Sequence, residues 1–382
     1  MDENKKITEG VLLYDPLFEH KPDTVIRDDP KKGFWGKAIV KKMLFIIVLA
    51  SFVGVSVYLS FHSVSKEKYT YEEAGSGYML SEFVAGKNDF VLNIDYVYGK
   101  DDRPDASKTV NSVREYALCC NEYTEYIFIG KDVENIENTS FYYCTALRAV
   151  IVDKENPCYE SVEGVLYKKE NGKLTEIVLY PTKNSEYRTA LSLGAKEPEN
   201  AAEAMAFREN IASLENAADE YIEAYKKDKA SAQTLLKDDE VRAFVEVGLK
   251  YEIAEGVGKV GEMSFAECEN IRRISIPESV TDIGSMAFFK CKNLEEIYIP
   301  DKVESIGSDG FSYCENADYI FIPSSVKNIG HHAFFGCNAA KEVYMECSED
   351  NMPQVGEDWL PQYRKGVLRD VETVNDSRRR ES

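Results

Sequence analysis

Large apolar residues return at a fixed interval along the second half of the chain. Phenylalanine, cysteine, glycine and proline each recur with a spacing of 23 residues, all in one phase. The four columns are Phe265, Phe288, Phe311 and Phe334; Cys268, Cys291, Cys314 and Cys337; Gly261, Gly284, Gly307 and Gly330; and Pro277, Pro300 and Pro323. A period of about 20–50 residues is the signature of stacked structural units. The pattern therefore predicts a solenoid.

Each unit contains a strand pattern. Leu294, Ile297 and Ile299 follow an L-x-x-L-x-L spacing, in which alternate side chains point into the core. Stacked units place these strands side by side, so we expect one parallel sheet in each array of repeats.

The remainder of the unit closes the coil. The proline after each strand ends the strand because proline has no N–H to donate. Val280 and Ile283 return to the core, and Gly284 is predicted to adopt a positive φ at a turn. We expect residues 286–288 to form the opposite wall as a short helical turn, with Cys291 as a small apolar filler.

The same columns recur far upstream, which predicts a second array. The matching residues are Ile129, Val133, Ile136, Phe141, Cys144, Leu147, Val150 and Val152, preceded by a weaker copy at Val110, Val113, Leu118, Thr124, Ile127 and Ile129. After Val152, Asn171-Gly172 lies between two β-rich runs and predicts a hairpin.

Between the two arrays the composition shifts to alanine, glutamate and lysine. Six apolar residues fall on one helical face: Phe207, Ile211, Leu214, Ala218, Ile222 and Tyr225. The sequence predicts a helical insert whose apolar face packs on the neighbouring arrays. Reservation of that face for an external partner is the alternative.

One uncharged run near the N-terminus predicts a membrane span. Met43 to Phe61 comprises 19 residues without a charge, long enough to cross a hydrocarbon core of about 30 Å. Five lysines precede it, at 31, 32, 37, 41 and 42, so the positive-inside rule places the N-terminus in the cytoplasm. A cleaved signal peptide is the alternative, but the 42-residue approach is long for one and no small-x-small cleavage site follows. We therefore expect a single-pass protein of the plasma membrane with an extracellular repeat region.

The predicted fold class is an α/β repeat solenoid with one parallel sheet per array, interrupted by a helical insert and preceded by a single transmembrane helix. The expected order is a cytoplasmic tail over 1–37, the transmembrane helix over 38–61, a juxtamembrane segment over 62–105, the N-terminal array with its hairpin over 106–181, the helical insert over 182–248, the C-terminal array over 249–347, and a cap with a flexible tail over 348–382.

The repeat unit carries a family resemblance. The segment IPESVTDIGSMAFFKCKNL, from Ile276 to Leu294, resembles the BspA-like leucine-rich repeats of bacterial and some protist surface proteins. NPCYESVEGVLYKK, from Asn156 to Lys169, resembles the irregular unit that often sits among them. The resemblance covers about 110–181 and 253–347. It implies a leucine-rich-repeat fold and a surface-exposed, adhesive role, and it carries over no catalytic residues.

Charge narrows the range of partners. The chain holds 46 basic and 67 acidic residues, a net charge of −21, which disfavours nucleic acid and anionic membrane surfaces as ligands. Residues 1–61 contribute 9 basic and 8 acidic side chains, so 37 basic and 59 acidic remain and the predicted exported part carries −22.

Candidate chemistry is sparse. GVGKVG, from Gly256 to Gly261, matches a dinucleotide-binding pattern, but Val257, Val260 and Gly261 occupy repeat columns, and the repeat explains them better. His331 and His332 follow a turn glycine and lack the spacing of a zinc site, so exposed turn residues are expected. We find no nucleophile or metalloprotease motif. The sequence predicts a protein that is not an enzyme and that binds no cofactor and no metal.

The cysteines of the repeat are predicted to be free thiols. Disulfides are common in exported proteins, but the column from Cys268 to Cys337 stacks with parallel side chains about 4.8 Å apart. A disulfide needs converging Cβ atoms about 3.8 Å apart. Cys119, Cys120, Cys158 and Cys347 stay unassigned.

The outward-facing position of each repeat strand suggests a binding surface. It holds Phe128 and Ile151 in the first array and Ser275, Tyr298, Phe321 and Tyr344 in the second, with Tyr319 beside them. Exposed aromatic rings on a rigid sheet can grip proteins or stack on sugars. The sequence suggests a ligand surface made of Tyr298, Phe321, Tyr344, Tyr319, Ser275 and Phe128. In the alternative, the rings only stabilise the sheet or another segment covers them.

The expected function is a surface recognition or adhesion module for a protein or glycan ligand. The alternative is a transmembrane regulatory or envelope scaffold protein, in which the apolar patch from Val11 to His20 would dock on an intracellular partner.

Overall fold

The computed structural model describes residues 68–346 and 352–360, together with the backbone of 368–370. All of them belong to the second of the two units into which the chain divides, 67–382. The predicted span Met43–Phe61 and the tail patch Val11–His20 lie outside the described residues. Within the described part of the chain, no helix is both long and apolar enough to cross a membrane.

The first strands belong to the end of the solenoid. They are β1 Tyr69–Ala74, β2 Gly77–Phe83, β3 Val91–Ile94, β4 Tyr96–Tyr98 and β5 Pro104–Val113. β1 and β2 form an antiparallel hairpin, and β5 pairs parallel with β2 and antiparallel with β4. Residues 69–98 were expected in a juxtamembrane segment. Leu80, Phe83, Leu92 and Ile94 instead bury their side chains in the core of the first array.

The first array has the predicted parallel sheet. β3, β6 (Tyr126–Ile129) and β8 (Ala149–Val152) pair in register, with Leu92 beside Ile127 and Ile127 beside Val150. On the opposite wall, β7 (Asn135–Ile136) pairs parallel with β5, and a 3-10 helix follows at Asn138–Phe141. The apolar residues of the predicted columns are buried together in one core, which confirms the phase of the repeat.

The hairpin prediction is confirmed. β9 (Tyr159–Val162), β10 (Val165–Glu170) and β11 (Lys173–Leu179) form an antiparallel sheet. Asn171 and Gly172 have φ values of 52° and 73°, the two positive values that a two-residue type I′ turn needs. β11 then pairs in parallel with β13 (Lys259–Val260), where Ile177 lies beside Val260. The coil stack therefore continues directly from the hairpin into the second array.

The helical insert lies in the chain between the hairpin and the second array. It contains α1 Asn184–Ser192, α2 Ala201–Asn210, α3 Ala212–Lys227, α4 Lys229–Leu235, α5 Asp239–Ala243 and a π-helical turn at Phe244–Gly248. Asn200 and Asp228 cap α2 and α4 by accepting hydrogen bonds from backbone N–H groups of the first turn. Phe207 and Leu214 of the predicted apolar face are buried with Tyr126 and Ala149 of the first array. This confirms that the face packs on the solenoid.

The second array has two walls of short strands. The strands are β12 Lys250–Glu252, β14 Arg273–Ser275, β15 Asp282–Ile283, β16 Glu296–Tyr298, β17 Ser305–Ile306, β18 Tyr319–Ile322, β19 Asn328–Ile329, β20 Glu342–Met345, β21 Gln354–Val355 and β22 Leu368–Asp370. The L-x-x-L-x-L strands form one wall as two sheets, β12–β14 and β16–β18–β20–β22. The second wall is an eight-stranded sheet in the order β21-β19-β17-β15-β13-β11-β10-β9. The expectation of one sheet per array is wrong, because stacking at a fixed offset also brings the Asp282-Ile283 segments of successive coils into register.

The segment after the glycine column is an extended turn rather than the predicted helical turn. Its alternate N–H groups donate to the next coil: Met286 to Ser308 O, Phe288 to Gly310 O and Lys290 to Ser312 O, each 2.8 Å. Met286 and Lys290 have φ values of 54° and 58°. The intervening N–H groups bond within the segment, as Phe289 N does to Met286 O at 3.1 Å, so only every second donor closes a local turn and no continuous helix forms.

The glycine column has a different cause from the one expected. Gly284 is not among the glycines with positive φ; the positive φ falls two residues later, at Met286. A Cβ on Gly284 would lie 2.7 Å from the backbone nitrogen of Glu262 in the preceding coil. Glycine is required here because successive backbones approach too closely for any side chain.

The thiol prediction is confirmed for the repeat column, whose cysteines are buried and free. Each thiol donates to a carbonyl of the preceding coil: Cys291 Sγ to Phe265 O at 3.1 Å, and Cys314 Sγ to Phe288 O at 3.3 Å. Burial raises the pKa of Cys291 to about 12. The column therefore consists of satisfied, unreactive thiols beside a stack of phenylalanine rings whose centroids lie 4.7–5.4 Å apart.

Substitution of the close-approach glycine should destabilise the stack. We expect Gly284→Ala to lower the free energy of unfolding by about 1–3 kcal/mol, since its Cβ would force two backbones apart. Gly258→Ala is the matched control, because its Cβ would meet nothing closer than Thr175 O at 3.8 Å. Urea denaturation followed by circular dichroism measures both, and equal midpoints for the two variants would contradict the close-approach explanation.

Candidate functional site

Four of the predicted strand-face residues, Tyr298, Tyr319, Phe321 and Tyr344, share one surface. Tyr298 lies beside Phe321 and Phe321 beside Tyr344 in the parallel register of β16, β18 and β20. The rings of Tyr298 and Phe321 stack with centroids 5.0 Å apart and an interplanar angle of 9°. Tyr319 packs on Tyr344 at 5.3 Å. The four rings form one hydrophobic cluster.

The exposure expected for this stripe is wrong for most of its length. Tyr319, Phe321 and Tyr344 are only 5%, 2% and 8% exposed, and Tyr298 is half-buried against them. Rings that stack at about 5 Å hide one another's faces, which is the stabilising role that the sequence left open as the alternative. Only Ser275, at the end of the row, is exposed.

Phe128 does not share a surface with these residues. Phe128 and Ile151 lie on the outward face of the first array, where they pack against the helical insert. Tyr126, beside them, meets Phe207 of α2 edge to face with ring centroids 6.4 Å apart. Phe128 is therefore half-buried rather than freely exposed as expected, because the apolar face of the insert packs against this sheet.

Buried charges fix the insert in this position. Glu125 is 7% exposed, and its two carboxylate oxygens accept from Arg148 Nε at 2.8 Å and from Arg208 Nε of α2 at 2.7 Å. Arg148 also pairs with Glu215 of α3. A carboxylate this deep is stable only with such partners, so the insert covers the sheet in one defined orientation.

A second set of aromatic side chains lies where the sequence did not place a site. We call it the edge row; it follows the extended turns along one edge of both arrays and comprises Tyr116, Tyr142, Tyr143, Phe289, Tyr313 and Phe335. Its rings meet mostly edge to face. Tyr142 and Tyr143 lie 4.6 Å apart at 84°, Phe289 and Tyr313 5.9 Å apart at 89°, and Tyr313 and Phe335 5.6 Å apart at 79°.

Lys290 joins the two halves of the edge row. Its Nζ lies 3.3 Å from the hydroxyl oxygen of Tyr143 in the first array and 5.0 Å from the ring centroid of Phe289 in the second. The same nitrogen donates to Glu267 at 2.9 Å. Burial, the largest single effect, lowers the pKa of Lys290, but the hydrogen bonds and charges of Glu267 and Tyr143 together outweigh it. The pKa is therefore raised and the lysine stays charged. The row therefore continues from one array to the other.

The edge row is partly open to solvent. Tyr143 is 37% exposed, Tyr116, Tyr142, Tyr313 and Phe335 are half-buried, and Phe289 is buried. The backbone of part of the row is fixed to a neighbouring coil: Tyr313 N donates to Phe335 O at 2.6 Å, and Cys120 N donates to Tyr142 O at 2.9 Å. Sequence reasoning missed these residues, although a signal exists: FYYC, FFKC, FSYC and FFGC carry aromatic residues between the phenylalanine and cysteine columns.

Many of the surface lysines form ion pairs between successive coils. Each joins a lysine to an acidic residue 23 positions earlier: Lys290 to Glu267, Lys292 to Glu269, Lys327 to Glu304 and Lys341 to Asp318. Exposed pairs of this kind contribute little stability, about 0–1 kcal/mol each. Because basic groups are paired in this way while acidic residues are in excess, the surface keeps the negative character of the composition.

The remaining candidate motifs have structural roles. Val257 and Val260 of the GVGKVG segment lie in the coil core, where Val260 pairs with Ile283, and a Cβ on Gly261 would lie 2.5 Å from Ile177 O. His331 accepts a hydrogen bond from Glu357 N at its Nδ1, 3.0 Å away. The residues that the structure describes contain no group of three or more His, Cys, Asp or Glu side chains arranged to hold a metal ion.

Comparison with known proteins supports the repeat assignment. A family described as "BspA type Leucine rich repeat region" matches residues 104–183 and 243–355 in six copies. None of the functionally described proteins compared with this sequence matches it significantly.

Several solved structures are similar to this chain. A leucine-rich repeat protein from Eubacterium ventriosum is 20% identical over 68% of this chain and 54% of its own, with a TM-score of 0.42, so this chain spans about half of that protein. A leucine rich cell surface protein from Faecalibacterium prausnitzii is 13% identical over 75% of this chain and 95% of its own, with a TM-score of 0.29. The pneumococcal vaccine antigen PcpA is 14% identical over 75% of this chain and 88% of its own, with a TM-score of 0.35.

The buried state of the strand-face rings can be tested by mutation. We expect Phe321→Ala to destabilise the protein by about 3–5 kcal/mol, as loss of a fully buried ring does. Ser275→Ala, at the exposed end of the same row, should change stability by no more than about 0.5 kcal/mol. Thermal unfolding of the two variants compares them, and an unchanged melting temperature for Phe321→Ala would show that the ring is exposed in solution.

Proposed function

Because this chain belongs to the BspA-type leucine-rich-repeat family, we propose that it is a cell-surface module that binds a protein partner through the edge row. The observation that carries the proposal is the edge row itself, an aromatic surface that runs across both arrays. Bonds between coils hold the backbone at Tyr142, Tyr313 and Phe335, so little conformational entropy is lost there when a partner binds.

The chemistry of the edge row favours a protein over a glycan. Sugars stack on open ring faces, whereas in each T-shaped contact of Tyr143, Tyr313 and Phe335 the edge of one ring covers a face of the other. Protein interfaces are enriched in tyrosine and phenylalanine, because each ring buries a large apolar area with few rotatable bonds. A glycan ligand is the outcome that the binding experiment below would reveal instead.

Charge indicates the character of the partner. Residues 62–382 carry −22, since 37 basic side chains face 59 acidic ones. Complementary charge speeds encounter and suppresses wrong partners. We therefore propose a partner with a basic contact surface, whose binding weakens as salt is added.

Part of the strand face is a second candidate contact. Ser275 is exposed and Tyr298 is half-buried, so this end of the row is accessible to a ligand. Tyr319, Phe321 and Tyr344 would act as the packed support beside it.

Anchoring in the membrane is part of the proposal. Met43–Phe61 is uncharged over 19 residues and follows a lysine-rich segment, which supports a single span with residues 1–37 in the cytoplasm and the repeats outside. The apolar patch Val11–His20 supports a second function, in which the tail signals to an intracellular partner when the repeats bind outside.

The edge-row proposal is tested by binding. The full-length protein in detergent is applied to a panel of extracellular matrix proteins and to glycans, beside the triple variant Tyr143→Ala, Tyr313→Ala, Phe335→Ala. We expect a protein ligand whose affinity falls at least about tenfold in the triple variant, because interface aromatics are typical hot spots. Leu193→Ala removes an exposed apolar side chain from the insert and should bind normally.

Other results of this experiment would redirect the proposal. A protein hit that survives the triple variant but is lost in Tyr298→Ala would move the site to the strand face. A hit among the glycans alone would contradict a protein ligand.

Anchoring and orientation are tested on intact bacteria that express the full chain. We expect the protein in the membrane fraction, with external protease removing the repeats but not an epitope placed at residue 1. Deletion of residues 43–61 should leave the protein out of the membrane. An N-terminus located after residue 61 by mass spectrometry would show that the apolar run is a cleaved signal.

A further inference from the structure

Two adjacent cysteines differ from the thiols of the repeat core. The Sγ atoms of Cys119 and Cys120 lie 3.0 Å apart, within hydrogen-bond distance of each other. Cys120 is exposed and Cys119 is half-buried. By contrast, Cys144 in the core of the same array is buried and donates to the carbonyl oxygen of Leu118 at 3.2 Å.

The backbone of an extended turn holds the pair in this arrangement. Cys119 N donates to Tyr116 O at 3.0 Å, and Cys120 N donates to Tyr142 O of the next coil at 2.9 Å. Cys120 has a φ of 60°, like Lys290 and Tyr313 at the equivalent positions of later coils. Because the left-handed conformation at this position recurs from coil to coil, the fold imposes it and thereby sets the direction of the Cys120 side chain.

We propose that Cys119 and Cys120 form a thiol–disulfide exchange site for small disulfides. The exposed Cys120 sulfur, as thiolate, attacks one sulfur of a disulfide RS–SR; a Cys120–SR bond forms, the RS–SR bond breaks, and RS⁻ leaves. Cys119 then loses its proton, and its sulfur attacks Cys120 Sγ and releases the second RS⁻. Both leaving thiolates take up protons. The two protein thiols are oxidised to one disulfide, and RS–SR is reduced to two thiols.

The two thiols are electrostatically distinct in the way that these roles require. The hydrogen bond from Cys119 lowers the pKa of Cys120 to about 7, against an opposing effect of burial. The same bond, followed by burial, raises the pKa of Cys119. The exposed sulfur is thus the more readily ionised of the two at neutral pH, and the thiolate is the attacking form.

The product would be a reversible disulfide rather than a structural one. Adjacent Cα atoms across a trans peptide lie about 3.8 Å apart, whereas disulfides usually join Cα atoms about 4.4–6.8 Å apart. A strained disulfide is reduced more easily. Because Tyr116 and Tyr142, whose carbonyl groups accept from the pair, belong to the edge row, ring closure would act on the backbone of that surface.

Oxidised glutathione serves as the probe, applied to the full-length protein in detergent at pH 7. After acid quenching, unfolding and alkylation of free thiols, peptide mass mapping identifies each cysteine. We expect the peptide with Cys119 and Cys120 to be two hydrogens lighter than its reduced form and to carry neither alkyl groups nor glutathione. In the Cys119→Ser variant, glutathione should stay bound to Cys120, because no neighbouring thiol is present to displace it in the second step.

Two further variants complete the test. Cys120→Ser should react at least about tenfold more slowly, since the remaining thiol is the less ionised one. Cys158→Ser changes a half-buried cysteine outside the pair and should behave like the unchanged protein. The proposal fails if both cysteines of the unchanged protein are alkylated after exposure to the probe. It also fails if glutathione stays bound to one cysteine of the unchanged protein, or if Cys120 forms a disulfide between two chains.

Discussion

The structure depends on hydrogen bonding between backbones one repeat apart. No coil has enough apolar surface to fold alone, so the stack is stable only because each coil satisfies the N–H and C=O groups of its neighbours. These bonds occur on both strand walls and also along the extended turns, where Phe288 N donates to Gly310 O and Phe311 N to Ala333 O. Every side chain is therefore placed relative to its equivalent in the adjacent coil.

That constraint accounts for features that local sequence rules explain differently. Gly284 is fixed by the distance to the preceding backbone rather than by its own φ, while Met286 takes the positive φ because its N–H is held by the next coil. The buried thiols follow the same logic. Cys291 fits as a small residue whose weak donor reaches the Phe265 carbonyl, so the polar atom is satisfied without a disulfide.

The covered and uncovered faces of the stack then determine which surface can recognise a partner. The helical insert, fixed by Glu125 and its two arginines, covers the outward strand face of the first array. In the second array, Tyr319, Phe321 and Tyr344 are packed away from solvent. The turn edge keeps partly exposed tyrosines in both arrays, bridged by Lys290, and it also presents the Cys119–Cys120 pair. Recognition and thiol chemistry are thus proposed for the same edge of the solenoid.

The sequence by itself determined the repeat, its phase, the hairpin and the helical nature of the insert. Those features are encoded locally. The 23-residue columns and the apolar face through Phe207 are periodic patterns, and Asn171-Gly172 has a strong turn preference. Only the tertiary structure decided which outward residues reach solvent. The alternation of a strand shows that Phe128 and Phe321 point away from the core, but burial by a segment distant in sequence or by stacked rings depends on the assembled fold. The same holds for the edge row and the close approach at Gly284, because both arise from contacts between residues of different coils that no single repeat contains.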